Sequence, residues 1–330
     1  RVSGETASWR LEAENEGDRS VTLQRIELFD AAASAPVKPF RQQVSLGLGE
    51  ADWMEEEDVN RKAGFPVEID GGFFLGVDWP VAETRTDGRR IVCTQYCGDT
   101  LRPGETFRSR TVTIGAAADG NVAQAFLAHL NRLRGRKTRR ASFYFTWLTH
   151  SWEGLTDREL ALSLDFFERL RNTFGARFDI FAVDAGVVET NNYYYDDYRF
   201  VHERKLPNGL QSHAERAKRL GMEFGVWLGP GGFGADGERE AKRIAEVVRM
   251  VKEWHVGLIK LDTAVSQLLG GDPYRNERAM RGLERLMEAC RKVNPDLIVI
   301  NHRVSYSPYI LTMLDSTLWE GRETYPDVHM

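Results

Sequence analysis

The sequence predicts an α/β protein. The fold class is a (β/α)8 barrel of the TIM type, truncated after about six β/α units and preceded by an antiparallel β-sandwich. Three observations predict it. From residue 141 onward, short apolar runs alternate with longer amphipathic segments, as repeated β/α units of a parallel sheet do. Before about residue 120, short alternating runs are separated by Gly- and Asp-containing turns, as antiparallel strands are. Residues capable of chemistry also end nearly every later apolar run: Trp152-Glu153, Asp184, Trp227, Lys260 and Asp262, Asn301-His302, and Glu320. A barrel gathers its strand ends into one ring, whereas a doubly wound sheet concentrates its site at one switch point.

The first region reads as strands over Ser8–Glu14, Val21–Leu28, Gly72–Trp79, Arg90–Tyr96 and Arg108–Ile114. Turn signals at Glu16-Gly17-Asp18, Asp70-Gly71-Gly72, Thr86-Asp87-Gly88 and Pro103-Gly104 separate them. Asn121 to about Arg136 has apolar residues near helical spacing and reads as a helix. The expected organisation is a partial β-sandwich over 1–120, a helical linker over 121–140 and the barrel over 141–330.

In the second region Ser142–Trp147 is the first expected strand. A helix over Asp157–Thr173 follows, with Thr156 as N-cap, Glu159 completing a capping box and Gly175 past its end. Strands are then expected over Phe178–Asp184, Glu223–Leu228, Gly257–Asp262, Leu297–Asn301 and Ser316–Glu320. Helices are expected over Leu210–Leu220, Glu238–Trp254 and Asn276–Val293, with a shorter helix or turn from Pro308. No Gly-x-Gly-x-x-Gly turn follows the first strand, so the dinucleotide-binding version of a doubly wound sheet lacks its fingerprint. Six units are not eight, and the chain reads as one whose barrel is completed by further residues.

Composition narrows the function. The 44 basic and 49 acidic residues are well mixed, so neither a nucleic-acid partner nor an acidic tail is indicated. The basic run Arg132–Arg140 has few interleaved aromatics and reads as a solvated helix end or linker. Cys93, Cys97 and Cys290 make neither a disulfide framework nor a metal-ligand spacing, and read as packing residues. No apolar run approaches the roughly 18 residues of a membrane helix. No cofactor and no metal are expected, and the expected partner is an oligosaccharide or glycoside substrate, with an oligomer compatible.

Gly257–Thr263 is the stretch with most chemistry in least space. Alternation puts Leu258, Lys260 and Asp262 on one side of a strand and Ile259 and Leu261 on the other. Lys260 and Asp262 then share the C-terminal end, where barrels do their chemistry. A structural Lys-x-Asp ion pair is the alternative reading. Carboxylates, a lysine and aromatics together suit sugar binding. Retaining glycoside hydrolysis needs two carboxyl groups about 5–5.5 Å apart, one a nucleophile and one an acid/base. Asp262 beside a cation suits the nucleophile. Glu320 suits the acid/base, with Glu323 the alternative.

The order of motifs resembles the catalytic barrel of clan D glycoside hydrolases, the α-galactosidases of families 36 and 27, with family 36 the nearer. His150-Ser151-Trp152-Glu153 is similar to the family's Asn-Ser-Trp-Glu, and Ala182–Val187 to its Val-Leu-Asp-Asp-Gly-Trp. Leu206-Pro207-Asn208-Gly209-Leu210, Gly221–Trp227 and Lys260-Leu261-Asp262 follow in the family's order. Gly72–Pro80 resembles part of the family's N-terminal sandwich. The resemblance implies a retaining, exo-acting α-glycosidase, α-galactosidase-like, with Asp262 as nucleophile. It also implies Lys260 and Asp184 on sugar hydroxyls, with Trp227 lining the pocket; Trp152, Asn301 and His302 are further candidate sugar contacts. The family's second aspartate is Ala185 here, its following tryptophan Val187, and its Trp-x-x-Pro-Glu glutamate Gly231. Those groups read the sugar. A carbohydrate-binding barrel without hydrolysis, or an α-glycosidase for another sugar such as α-N-acetylgalactosamine, is the alternative.

Overall fold

A computed structural model describes residues 2–3, 6–40, 64–149, 155–185, 187, 204–229, 233–234, 237–262, 272–302 and 307–318. It is a mixed α/β structure in two compact units. The first comprises Arg1–Arg136, Val265–Met280 and Ser305–Met313, and the second Lys137–Ala264, Arg281–Val304 and Leu314–Met330.

The first unit is built of antiparallel sheets. One has six strands: β1 (Val2–Ser3), β2 (Thr6–Trp9), β11 (Val112–Ala116), β7 (Phe73–Val77), β6 (Val67–Ile69) and β5 (Val37–Pro39), in that spatial order. A second joins β4 (Val21–Ala32), β9 (Arg90–Leu101) and β8 (Glu83–Asp87). A third pairs β10 (Thr106–Arg108) with β3 (Glu12–Glu14). Two expected strands are each broken in the middle. Ser109 Oγ accepts the Leu11 N–H at 2.8 Å, and Ser109 N donates to Leu11 O at 2.9 Å. Around that contact Ser8–Glu14 divides into β2 and β3, and Arg108–Ile114 into β10 and β11, each half pairing in a different sheet.

Helix α1 (Val122–Arg134) begins where Asn121 Oδ1 accepts the Gln124 N–H and ends at Gly135, whose φ of 63° is left-handed. Its buried Val122, Phe126 and Leu130, spaced at four, pack with Phe74 and Tyr309 into one core.

The second unit carries one curled parallel sheet. Its order is consecutive: β12 (Phe143–Phe145), β13 (Ile180–Ala182), β14 (Glu223–Leu228), β15 (Val256–Asp262), β16 (Ile298–His302) and β17 (Ser316–Leu318). A doubly wound sheet reverses its strand order at a switch point. This one does not. Helices α2 (Asp157–Phe174), α3 (Gln211–Arg219), α4 (Gly237–Glu253) and α5 (Pro273–Val293, of which Arg281 onward belongs to this unit) alternate with the strands along the chain. Thr156 Oγ1 accepts the Glu159 N–H and Gly175 closes α2 at a φ of 68°, as the capping pattern predicts.

Register sorts the sheet into two faces, because side chains alternate along each strand and residues paired across it share a side. Tyr144, Phe181 and Phe224 are in register and meet the rings of Phe167 and Trp254. The other face carries Phe145, Ile180, Ala182, Leu258, Ile298 and Ile300 as an apolar cluster. Gly225 lies on this crowded face, and a Cβ there would stand 2.5 Å from the Ala182 Cβ. At the N-terminal end of the strands Glu223 pairs with Arg139, and Gly257 leaves room for the Glu223 carboxylate.

Candidate active site

The apolar face of the second unit turns polar at the C-terminal ends of its strands. Continuing its alternation carries Ala182 to Asp184 and Ile300 to His302 in one step, and Leu258 to Lys260 and then Asp262 in two. Lys260 is in register with Trp227, and Asp262 with His302. Four strands therefore deliver their last inward side chains to one place.

Asp184 lies two residues past the end of β13, because Ser142–Trp147 and Phe178–Asp184 form shorter ladders than alternation predicts. After Phe145 the chain tightens into a 3-10 turn over Thr146–Leu148. Thr146 Oγ1 accepts the Asp184 N–H at 2.9 Å. The Asp184 carboxylate accepts the Ala185 N–H at 2.7 Å and lies 3.0 Å from Lys260 Nζ. Lys260 Nζ stands 5.6 Å from the centre of the Phe145 ring. This pair is buried, so its cost in desolvation is met by short, multiple contacts.

Asp262 is different. Its side chain keeps 19% of its surface exposed, while His302 beside it keeps 3%. His302 Nδ1 lies 3.0 Å from Asp262 Oδ1, and Trp227 Nε1 donates to Asp262 Oδ2 at 3.0 Å. Burial pushes the Asp262 carboxyl up, but the His302 contact, the Trp227 N–H and the Lys260 charge outweigh it and hold the group below its ordinary range. Asp262 is thus an ionised carboxylate with solvent access, anchored from the strands on both sides.

The structure brings together five of the residues singled out in the sequence: Asp184, Trp227, Lys260, Asp262 and His302. Asn301 stands apart from them. It is fully buried, in register with Leu261, and its Nδ2 donates to Thr317 Oγ1 at 3.4 Å, so alternation puts it on the opposite face from Asp262. Trp152, Glu320 and Glu323, together with Gly231, lie outside the described residues. Phe145 and Thr146 are additions: Phe145 ends β12 and Thr146 opens the turn after it, and reading Ser142–Trp147 only as strand gives no signal that they support Lys260 and Asp184.

Among the described residues no group of three or more His, Cys, Asp or Glu side chains is placed to hold a metal ion. No helix among them is long and apolar enough to cross a membrane.

No family model and no curated protein sequence matches the chain. Solved structures do. An α-galactosidase from Lactobacillus brevis is similar with a TM-score of 0.60 at 12% identity, over 97% of this chain and 50% of that one. The galactosidase domain of an α-galactosidase-sucrose kinase gives 0.58 at 14% identity, over 95% and 48%. A variant of a glycoside hydrolase family 36 α-galactosidase from Geobacillus stearothermophilus, in complex with stachyose, gives 0.57 at 13% identity, over 93% and 51%. The chain spans about half the length of the structures it matches. The likeness is one of fold, and it falls on the family that the order of sequence motifs resembles.

Proposed function

We propose that the second unit is the larger part of a TIM-type catalytic barrel, that the first unit is part of a β-sandwich, and that the protein is a retaining, exo-acting α-glycosidase of the α-galactosidase type. One observation carries the reading: an ionised, partly exposed carboxylate, Asp262, stands at a strand end beside a buried Lys260–Asp184 pair. In this mechanism an Asp262 oxygen attacks the anomeric carbon as the glycosidic C–O bond breaks. The leaving oxygen takes the proton of a carboxylic acid across the pocket, leaving a glycosyl-aspartate ester. Water then attacks the same carbon, gives its proton to that second carboxylate, and the ester C–O bond returns its electron pair to Asp262. Glu320 is assigned as the acid/base, with Glu323 the alternative. Lys260 and Asp184 present donors and acceptors to sugar hydroxyls, Trp227 lines the pocket, and Trp152 is assigned to the sugar as well.

The neighbouring Geobacillus protein holds stachyose, an oligosaccharide, and that supports a carbohydrate as partner here. A panel of aryl α-glycosides tests the reading. Turnover with retained anomeric configuration, abolished by Asp262→Asn, is the expected result; no turnover of any α-glycoside by the wild-type protein would sink it.

A second reading is favoured by Ala185 and Val187, both buried, where the resembling family carries an aspartate and a tryptophan that read the sugar. It makes the barrel a carbohydrate binder, or a hydrolase for another sugar such as α-N-acetylgalactosamine. Sugar affinity without turnover distinguishes the binder, and the glycoside panel distinguishes the sugar.

A further inference from the structure

We propose that His302 is a positioning residue that sets the orientation of the Asp262 carboxylate, and not a residue that reads the sugar; this rests on the assignment of Asp262 as nucleophile. His302 ends β16 directly across the ladder from Asp262. Its side chain is 3% exposed against 19% for Asp262, so it sits beneath the carboxylate and not beside the sugar's path. Nδ1 is the imidazole nitrogen that faces the carboxylate, 3.0 Å from Asp262 Oδ1. Trp227 Nε1 serves the other oxygen from the opposite strand.

A free aspartate carboxylate turns broadly about its last torsion. The Trp227 N–H on one oxygen and the His302 ring against the other, delivered by two different strands, restrain that turning, and in-line attack gains from an oxygen held on its trajectory. The His302 contact is strongest when Asp262 carries full charge. It weakens as the C–O bond to the anomeric carbon forms, and regains strength as the ester bond breaks and the electron pair returns to the carboxylate.

The test compares His302→Ala, His302→Asn and His302→Gln on an aryl α-glycoside. An asparagine amide can stand where Nδ1 stands; a glutamine amide reaches further. Loss of the positioning contact predicts a fall in kcat of about 100-fold for alanine, with KM little changed. Asparagine recovers about tenfold of that and glutamine does not. An independent readout needs no turnover: in the 15N-labelled protein the His302 Nδ1 resonance moves when Asp262 is changed to alanine. A kcat for His302→Ala equal to wild type, equal rescue by glutamine, or a His302 resonance indifferent to Asp262→Ala overturns the proposal. Absence of all turnover in the wild-type protein is instead a failure of the glycosidase reading, and the resonance then decides the His302 contact alone.

Discussion

Lys260 Nζ lies 3.0 Å from Asp184 Oδ2, with their side chains only 8% and 1% exposed, so each charge has exchanged water for the other. Removing one partner leaves an uncompensated buried charge, which costs about 3–5 kcal/mol. Lys260→Met should therefore lower the urea-unfolding free energy by about that much, and Lys260→Met combined with Asp184→Leu should recover most of it. A Lys260→Met protein that unfolds at the wild-type midpoint would show the pair to be incidental.

Asp262 makes a pH-dependent prediction whose sign is fixed by its depressed value. A carboxyl whose folded-state pKa lies below its unfolded one adds stability that is present above the unfolded value, about 3.9. That stability is lost as pH falls through the folded value. The stability gap between wild type and Asp262→Asn should accordingly be constant near neutrality and narrow below about pH 4. Urea titrations at several pH values measure it. A gap that widens on acidification would mean that burial, and not His302, Trp227 and Lys260, governs the group.

How much of this was legible follows from what each feature depends on. The helix over Asp157–Phe174 is specified locally by Thr156, Glu159 and Gly175, and the capping pattern locates it to within a residue. The alternation that puts Lys260 and Asp262 on one side is local too. The pairing of Asp262 with His302 was not legible, since 40 residues separate them and only the register of β15 with β16 sets them opposite. Asn301 shows the same limit from the other side. It adjoins His302 in sequence, yet a strand's period of two sends it to the opposite face. The breaks at Leu11 and Ser109 depend on hydrogen bonds between segments 98 residues apart, which no local pattern announces.

The cysteines should be silent in the native protein. Burial pushes the Cys93 and Cys290 thiols up to about 12, so almost no thiolate is present at pH 8. Cys97 is buried as well. A disulfide reagent at pH 8 should label none of the three quickly in the folded protein and all three after denaturation. Fast stoichiometric labelling of the native state at any of them would contradict the packing.

Gly225 is where the sheet and the site constrain each other most tightly. It precedes Trp227 by one inward step on β14, and it pairs in register with both Ala182 and Leu258. A Cβ at 225 would lie 2.5 Å from the Ala182 Cβ and 3.0 Å from its Cα, and the Cα belongs to a backbone that cannot swing aside. Gly225→Ala should therefore push β13 away from β14 and cost about 1–3 kcal/mol, the range for overpacking a filled core. The strain is mutual, so Gly225→Ala with Ala182→Gly should restore part of the loss, measured by the urea midpoint of the four proteins in the cycle. The displacement also bears on Asp184, two residues beyond Ala182, and on Trp227, which holds Asp262. Turnover of an aryl α-glycoside should thus fall in Gly225→Ala even where the protein remains folded, and an unchanged rate in a destabilised variant would separate the packing of the strands from the geometry of the carboxylates.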